Sequence, residues 1–92
     1  MKSQKPNKIW KSEVAFSVLY ELNRRNPQYG SAIAKNQGIG YSYIVHVKKA
    51  LIESGLIVTA KSGRVVLFKI TDKGRELFHH LRRARKLSLP DE

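Results

Sequence analysis

Hydrophobic positions in the first part of the chain recur at helical spacing. Val14, Ala15, Val18, Leu19 and Leu22 share one face at about 100° per residue, which predicts a helix over 12–25 with Ser12 as its N-cap. Phe16 and Tyr20 widen that face beyond what a single core needs, so this helix is expected to have two things to pack against. Asn26, Pro27 and Gly30 break the pattern. A short helix over 32–37 follows, capped by Ser31 and turned inward at Ile33 and Ala34. Gly38-Ile39-Gly40 reads as a turn in which both glycines tolerate positive φ while Ile39 plugs the core. A third helix over 42–54 puts Ile44, Val47 and Leu51 on one buried face and stops at Gly55.

Beyond Gly55 the period changes. Strands are expected over 56–61 and 64–70, joined by a hairpin turn at Gly63. Thr71 caps a last helix, with Asp72 and Glu76 at its positive end and Arg82, Arg83, Arg85 and Lys86 toward its negative end. Its apolar stripe is Leu77, Phe78, Leu81 and Ala84, with Leu87 as its continuation. Short helix, glycine turn, helix, hairpin, helix is mainly α with a small β-hairpin. In element order it is α-α-α-β-β-α, a winged helix-turn-helix. Residues 1–11 read as a basic flexible arm, 12–88 as the folded domain and 89–92 as a tail.

Size and charge narrow the function. Ninety-two residues leave room for one domain with a modest core, so association with a second copy would add useful burial. No apolar run approaches the roughly 20 residues of a membrane span, and no signal-like apolar core follows the basic N-terminus. Without cysteine, disulfides and thiolate metal sites are excluded, and a cytoplasmic protein is expected. Eighteen Lys and Arg against seven Asp and Glu, a net charge of +11, favour a polyanion such as nucleic acid through counterion release.

The third helix carries the candidate contact surface. Opposite its buried face lie Ser42, Val45, His46 and Lys49, with Tyr41 and Tyr43 flanking its start. A recognition helix leads into the major groove with its N-terminal half. There Ser42 and His46 can hydrogen-bond base edges, Val45 can touch a thymine methyl, and Lys49 can reach a guanine edge or a phosphate. Glu53, farther along, marks where contact ends. Lys61, Ser62 and Arg64 surround the hairpin turn and are placed to grip backbone or minor groove. Ser31, Lys35 and Gln37 are expected to meet phosphates near the second helix.

On these residues the chain resembles prokaryotic winged helix-turn-helix regulators of the PadR and MarR kind. Residues 29–35, YGSAIAK, look like the PadR-type YGYEIAK segment that opens the second helix. Residues 50–57 resemble xLExxGLI, and 68–77, FKITDKGREL, are similar to YxITxKGREL. The likeness covers about 14–81. It implies a homodimer built from the terminal helices, with paired recognition helices roughly 34 Å apart on a palindromic duplex site, acting as a repressor. Trp10, Phe16, Tyr20, Leu77, Phe78, Leu81 and Ala84 are the expected dimer surface. In size and charge the chain is closer to minimal archaeal and viral winged-helix proteins than to members with further C-terminal helices and a ligand pocket, so no small-molecule effector or cofactor is expected. Among those minimal proteins are adaptors of archaeal plasmid partition. That alternative role would make the chain nucleoid- or plasmid-associated and give it a partner protein of a segregation or transcription complex.

RNA binding is a second alternative, since exposed tyrosines can stack on bases, although no RNP1 motif is present. A winged helix devoted to protein contacts would bind DNA weakly and without steep salt dependence. Catalysis has little to stand on. His79 and His80 are adjacent, diverge around a helix and cannot form an i, i+4 metal pair, and no glycine-rich phosphate loop or acid cluster is present.

Overall fold

A computed structural model describes the backbone of residues 8–88 and the side chains of residues 11–85. Of the arm expected over 1–11, residues 8–11 are helical and not a flexible arm; residues 1–7, the tail over 89–92 and the side chains of Trp10 and Leu87 lie outside the described residues. The elements run α1 (Lys8–Arg24), β1 (Gln28–Tyr29), α2 (Gly30–Gln37), α3 (Tyr41–Glu53), β2 (Ile57–Ser62), β3 (Val65–Ile70) and α4 (Asp72–Ser88). This is the winged helix-turn-helix read from the sequence, mainly helical with a small sheet.

The core forms where the predicted stripes meet. Val14, Val18, Leu19 and Leu22 of α1 pack with Ile33 and Ala34 of α2, Ile44, Val47 and Leu51 of α3, and Leu56, Ile57, Phe68, Ile70 and Phe78. Ile39 packs against this cluster from the α2–α3 turn. Both helices of the helix-turn-helix end alike. After α2 the Ile39 amide donates to the Ala34 carbonyl at 2.9 Å, and after α3 the Leu56 amide donates to the Leu51 carbonyl at 2.9 Å. Gly38 and Gly55 occupy the left-handed position that closes each motif, at φ 66° and 74°. Gly40 differs from expectation, because at φ −61° it is the ordinary extended N-cap of α3.

Other boundaries shift for physical reasons. The first helix begins at Lys8, a turn ahead of Ser12, so Ser12 is an exposed helical residue and not a cap. The second helix begins at Gly30 with Tyr29 as N-cap and no side-chain cap hydrogen bond, so Ser31 lies within its first turn. The hairpin is joined by β1, giving a three-stranded antiparallel sheet in the order β1-β3-β2. Gln28 pairs with Phe68 and Tyr29 with Leu67. Beside it the Ile70 amide donates to Asn26 Oδ1 at 3.0 Å, which extends the pairing through a side chain. Ser62 pairs with Val65, leaving Gly63 and Arg64 as a two-residue turn with Gly63 at φ 62°. Both favoured two-residue hairpin turns require that sign of φ at their first position.

The hairpin is held at its exit by Thr71. Its backbone amide and hydroxyl both reach the Leu56 carbonyl at 3.0 Å, and the hydroxyl lies 2.6 Å from the Gly55 carbonyl. The Gly74 amide donates back to Thr71 Oγ1 at 2.9 Å, the cap expected from the sequence. From there α4 folds back along α1. Phe78 is fully buried and stacks beside Phe16 at 5.3 Å and Tyr20 at 6.1 Å between ring centroids. Arg85 sits 3.8 Å over the Phe16 ring and pairs with Glu13 at 3.1 Å. Phe78, expected on the dimer surface, therefore belongs to the chain's own core. A benzyl side chain on the inner face of α4 is covered within the chain, by the α1 rings and the shared core.

Candidate nucleic-acid interface

The α3 helix is divided as its sequence angles require. Ile44, Val47 and Leu51 are buried, while Ser42, Val45, His46 and Lys49 are exposed on the other side. Tyr41 and Tyr43 are also exposed. Tyr41 opens α3 and lies close over Gly30, where a Cβ would come within 2.9 Å of the Tyr41 ring and 2.8 Å of Phe68. A bare glycine at the start of α2 lets both rings approach. Tyr43 borders an apolar groove of about 490 Å³ formed with Glu13, Val14, Ser17, Gly38, Ile39 and Gly40. His46, at the α1 edge of the exposed face, borders with Lys11, Ser12 and Ala15 a smaller cavity of about 250 Å³.

The wing supplies the cations. Lys61, Ser62 and Arg64 are all exposed at the hairpin tip. Along the sequence this region is strongly one-signed, since Glu53 is the only acidic residue between positions 22 and 71, while Glu13 of α1 adds an acid at the groove beside Tyr43. Glu53 itself lies 4.0 Å from Lys49, an i, i+4 pair on the exposed side of α3. Neither α2 nor α3 has a side-chain cap on its N-terminal amides. Those amides add partial positive charge to the same region.

Of the residues expected near phosphates, Ser31 and Lys35 are exposed on α2, but Gln37 is diverted. Its Nε2 donates to Glu21 Oε2 at 2.9 Å. Glu21 is the group that sequence reasoning passed over. Its side chain is 2% exposed, and Gln28 Nε2 donates to its other oxygen at 2.8 Å. Asn36 approaches at 3.5 Å and Arg24 at 3.4 Å. Burial alone would raise the Glu21 pKa. The donors of Gln28, Gln37 and Asn36, with the Arg24 guanidinium, outweigh it and hold the carboxyl below its usual range. Gln28 also donates to the Glu21 and Arg25 carbonyls at 2.9 Å, so one network ties α1, β1 and α2 together. The signal was present in the sequence, because Glu21 stands three residues after Val18 and seven after Val14, inside the core stripe.

Among the expected dimer residues, Tyr20 and Leu81 are exposed at 40% and 37%, Ala84 is exposed, and Phe16 and Leu77 are partly buried. Trp10 lies on α1, but its side chain is outside the described residues. No helix among the described residues is long and apolar enough to cross a membrane. No group of His, Asp or Glu among them could hold a metal ion.

The architecture is that of the winged helix-turn-helix proteins, and solved structures of that fold superpose on it. Reduced AbfR bound to DNA matches with a TM-score of 0.74 and 22% identity over 85% of this chain and 58% of its own. AF1382 from Archaeoglobus fulgidus matches with a TM-score of 0.74 and 22% identity, over 92% of this chain and 93% of its own. A MarR-family transcriptional regulator from Rhodococcus sp. RHA1 matches with a TM-score of 0.70 and 21% identity, over 92% of this chain and 68% of its own. The chain thus spans about three-fifths of AbfR and nearly all of the archaeal protein. No family model and no curated protein sequence matches it.

Proposed function

We propose that the chain is a sequence-specific, double-stranded DNA-binding protein that acts as a homodimer on a palindromic site, as a transcriptional repressor. One observation carries the reading. The outward face of α3 exposes Ser42, Val45, His46 and Lys49, the adjoining wing tip exposes Lys61 and Arg64, and Glu53 is the only acid between positions 22 and 71. Hydroxyl, imidazole, methyl and ammonium groups on a helix surface suit major-groove edges, and cations on a hairpin suit the flanking backbone. The fold likeness to AbfR bound to DNA and to a MarR-family regulator supports the same reading.

The dimer part rests on Tyr20, Leu81 and Ala84, with the uncovered parts of Phe16 and Leu77, along neighbouring faces of α1 and α4. Joining two copies there sets two α3 helices into successive major grooves about 34 Å apart. Bound at a promoter, such a dimer represses by occupying the duplex.

Fluorescence anisotropy with duplex DNA and with structured RNA at matched salt tests the reading. Tighter binding to duplex, falling steeply with salt, is the expected outcome. Preference for RNA, or weak binding insensitive to salt, would remove it. Footprinting on the protein's own replicon then separates roles. A discrete palindrome fits a local repressor, and protection that lengthens with protein concentration fits a partition adaptor instead.

A further inference from the structure

The side chains absent from α3 narrow what it can read. Its residues, YSYIVHVKKALIE, include no Arg, Asn, Gln or Asp. Arg or Lys recognises guanine, and Asn or Gln adenine, through paired hydrogen bonds to the base edge, so Lys48 and Lys49 are the groups of this kind that α3 carries. Lys49, the cation at the centre of the outward face, has the Glu53 carboxylate 4.0 Å away. Beside these two lysines the helix presents an apolar strip. Tyr41, Val45 and Ile52 fall within about 40° of one another around the helix axis. They are 41%, 43% and 39% exposed. A single exposed hydrophobic is ordinary. Three on one strip, crossed by the partly exposed Lys48 and set beside a polar centre of Ser42 and Lys49, leave apolar surface that water solvates poorly.

In the major groove, the apolar group that a base pair displays is the thymine C5 methyl. Tyr41 and Val45 lie in the N-terminal half of α3, the part of a recognition helix that reaches base edges. We propose that α3 reads thymine methyl groups through the Tyr41–Val45 strip, so that its duplex is specified by thymine positions more than by guanine edges. The proposal rests on the duplex-DNA reading above and names what that surface recognises. The same contact accepts 5-methylcytosine, which carries its methyl at the equivalent place, and rejects uracil, which differs from thymine only in lacking it.

The test begins with a site selected from a random duplex pool, remade with deoxyuridine at each thymine in turn. Every hydrogen-bonding group is kept and only a methyl is lost. At thymines beneath α3 the affinity should fall about fourfold each, as expected for one methyl-sized apolar group returned to water. In Val45→Ala that penalty should vanish at one such position. At that position in the unaltered protein, 5-methylcytosine paired with guanine should bind better than cytosine. Uracil without effect at every position overturns the proposal, and so does a uracil penalty that Val45→Ala leaves untouched throughout; both leave duplex binding standing. A pool that yields no duplex binder overturns the DNA reading itself, and this proposal with it.

Discussion

Replacing Glu21 by alanine should cost this protein much of its stability, although position 21 lies away from the candidate interface. The carboxylate accepts two short hydrogen bonds, from Gln28 at 2.8 Å and Gln37 at 2.9 Å. Hydrogen bonds to a charged acceptor contribute about 1.5–3 kcal/mol each, and a buried donor left unpaired costs about 1–3 kcal/mol. These terms overlap, so a loss of about 3–4 kcal/mol is expected for Glu21→Ala. A domain of this size has about 5–14 kcal/mol in total. The melting temperature should then drop by on the order of 15–20 °C. Far-UV circular dichroism during thermal and urea unfolding measures both quantities. A variant within about 0.5 kcal/mol of the parent, the range of ordinary surface changes, would refute the network's role.

The isosteric Glu21→Gln adds a pH arm. The folded-state pKa of Glu21 lies below its ordinary value, so its ionisation contributes stability that is fully present above the unfolded carboxyl pKa. That pKa is about 4.3. The contribution is lost as pH falls through the lower folded-state value. The stability gap between parent and Glu21→Gln should therefore be constant near neutrality and shrink in acid below about pH 4.3. A gap that stays level into strong acid would mean that the carboxylate is not favoured in the folded state.

Other variants probe separate parts of the structure. Gly74→Ala should destabilise by about 1–3 kcal/mol or more, read by urea unfolding, because its Cβ would meet the backbone carbonyl of Leu56. Lys49→Ala and Arg64→Ala should each weaken duplex binding and lower the slope of log K against log salt by about 0.9 per lost phosphate contact, measured by anisotropy across a salt series. An unchanged slope in both would place the contact elsewhere. Leu81→Asp, at a side chain 37% exposed, should shift the protein from dimer to monomer in sedimentation velocity, with far-UV circular dichroism showing that the monomer remains helical. A dimer that persists would move the interface off α4.

The helices and hairpin were legible because their periods differ and glycines punctuate them. Ile44, Val47 and Leu51 alternate at helical spacing against Ser42, Val45 and Lys49, and the structure buries one set and exposes the other. Thr71 and Gly55 act as the cap and the stop that their chemistry suggests. Tertiary partners decide the remainder. A strand as short as Gln28–Tyr29 has no pattern of its own and exists through pairing with Phe68 and Leu67. A Ser that would serve as a cap is overruled where the helix continues upstream, as at Ser12. Gln37 looks like a surface amide until a buried carboxylate is recognised on α1. Phe78 looks like interface until α4 is laid against Phe16 and Tyr20. Of the interface, the division of α3 into two faces was legible, and the inward commitment of Gln37 was not.

The measurement closest to the heart of the matter is an NMR titration of isotopically labelled protein with a selected duplex at physiological salt. Amide shifts concentrated on residues 41–49 of α3 and 61–64 of the wing, with the outer face of the sheet unmoved, are expected. Shifts confined to the outer sheet face or to the Leu81 side of α4, with α3 silent, would show that this winged helix meets its partner through a different surface.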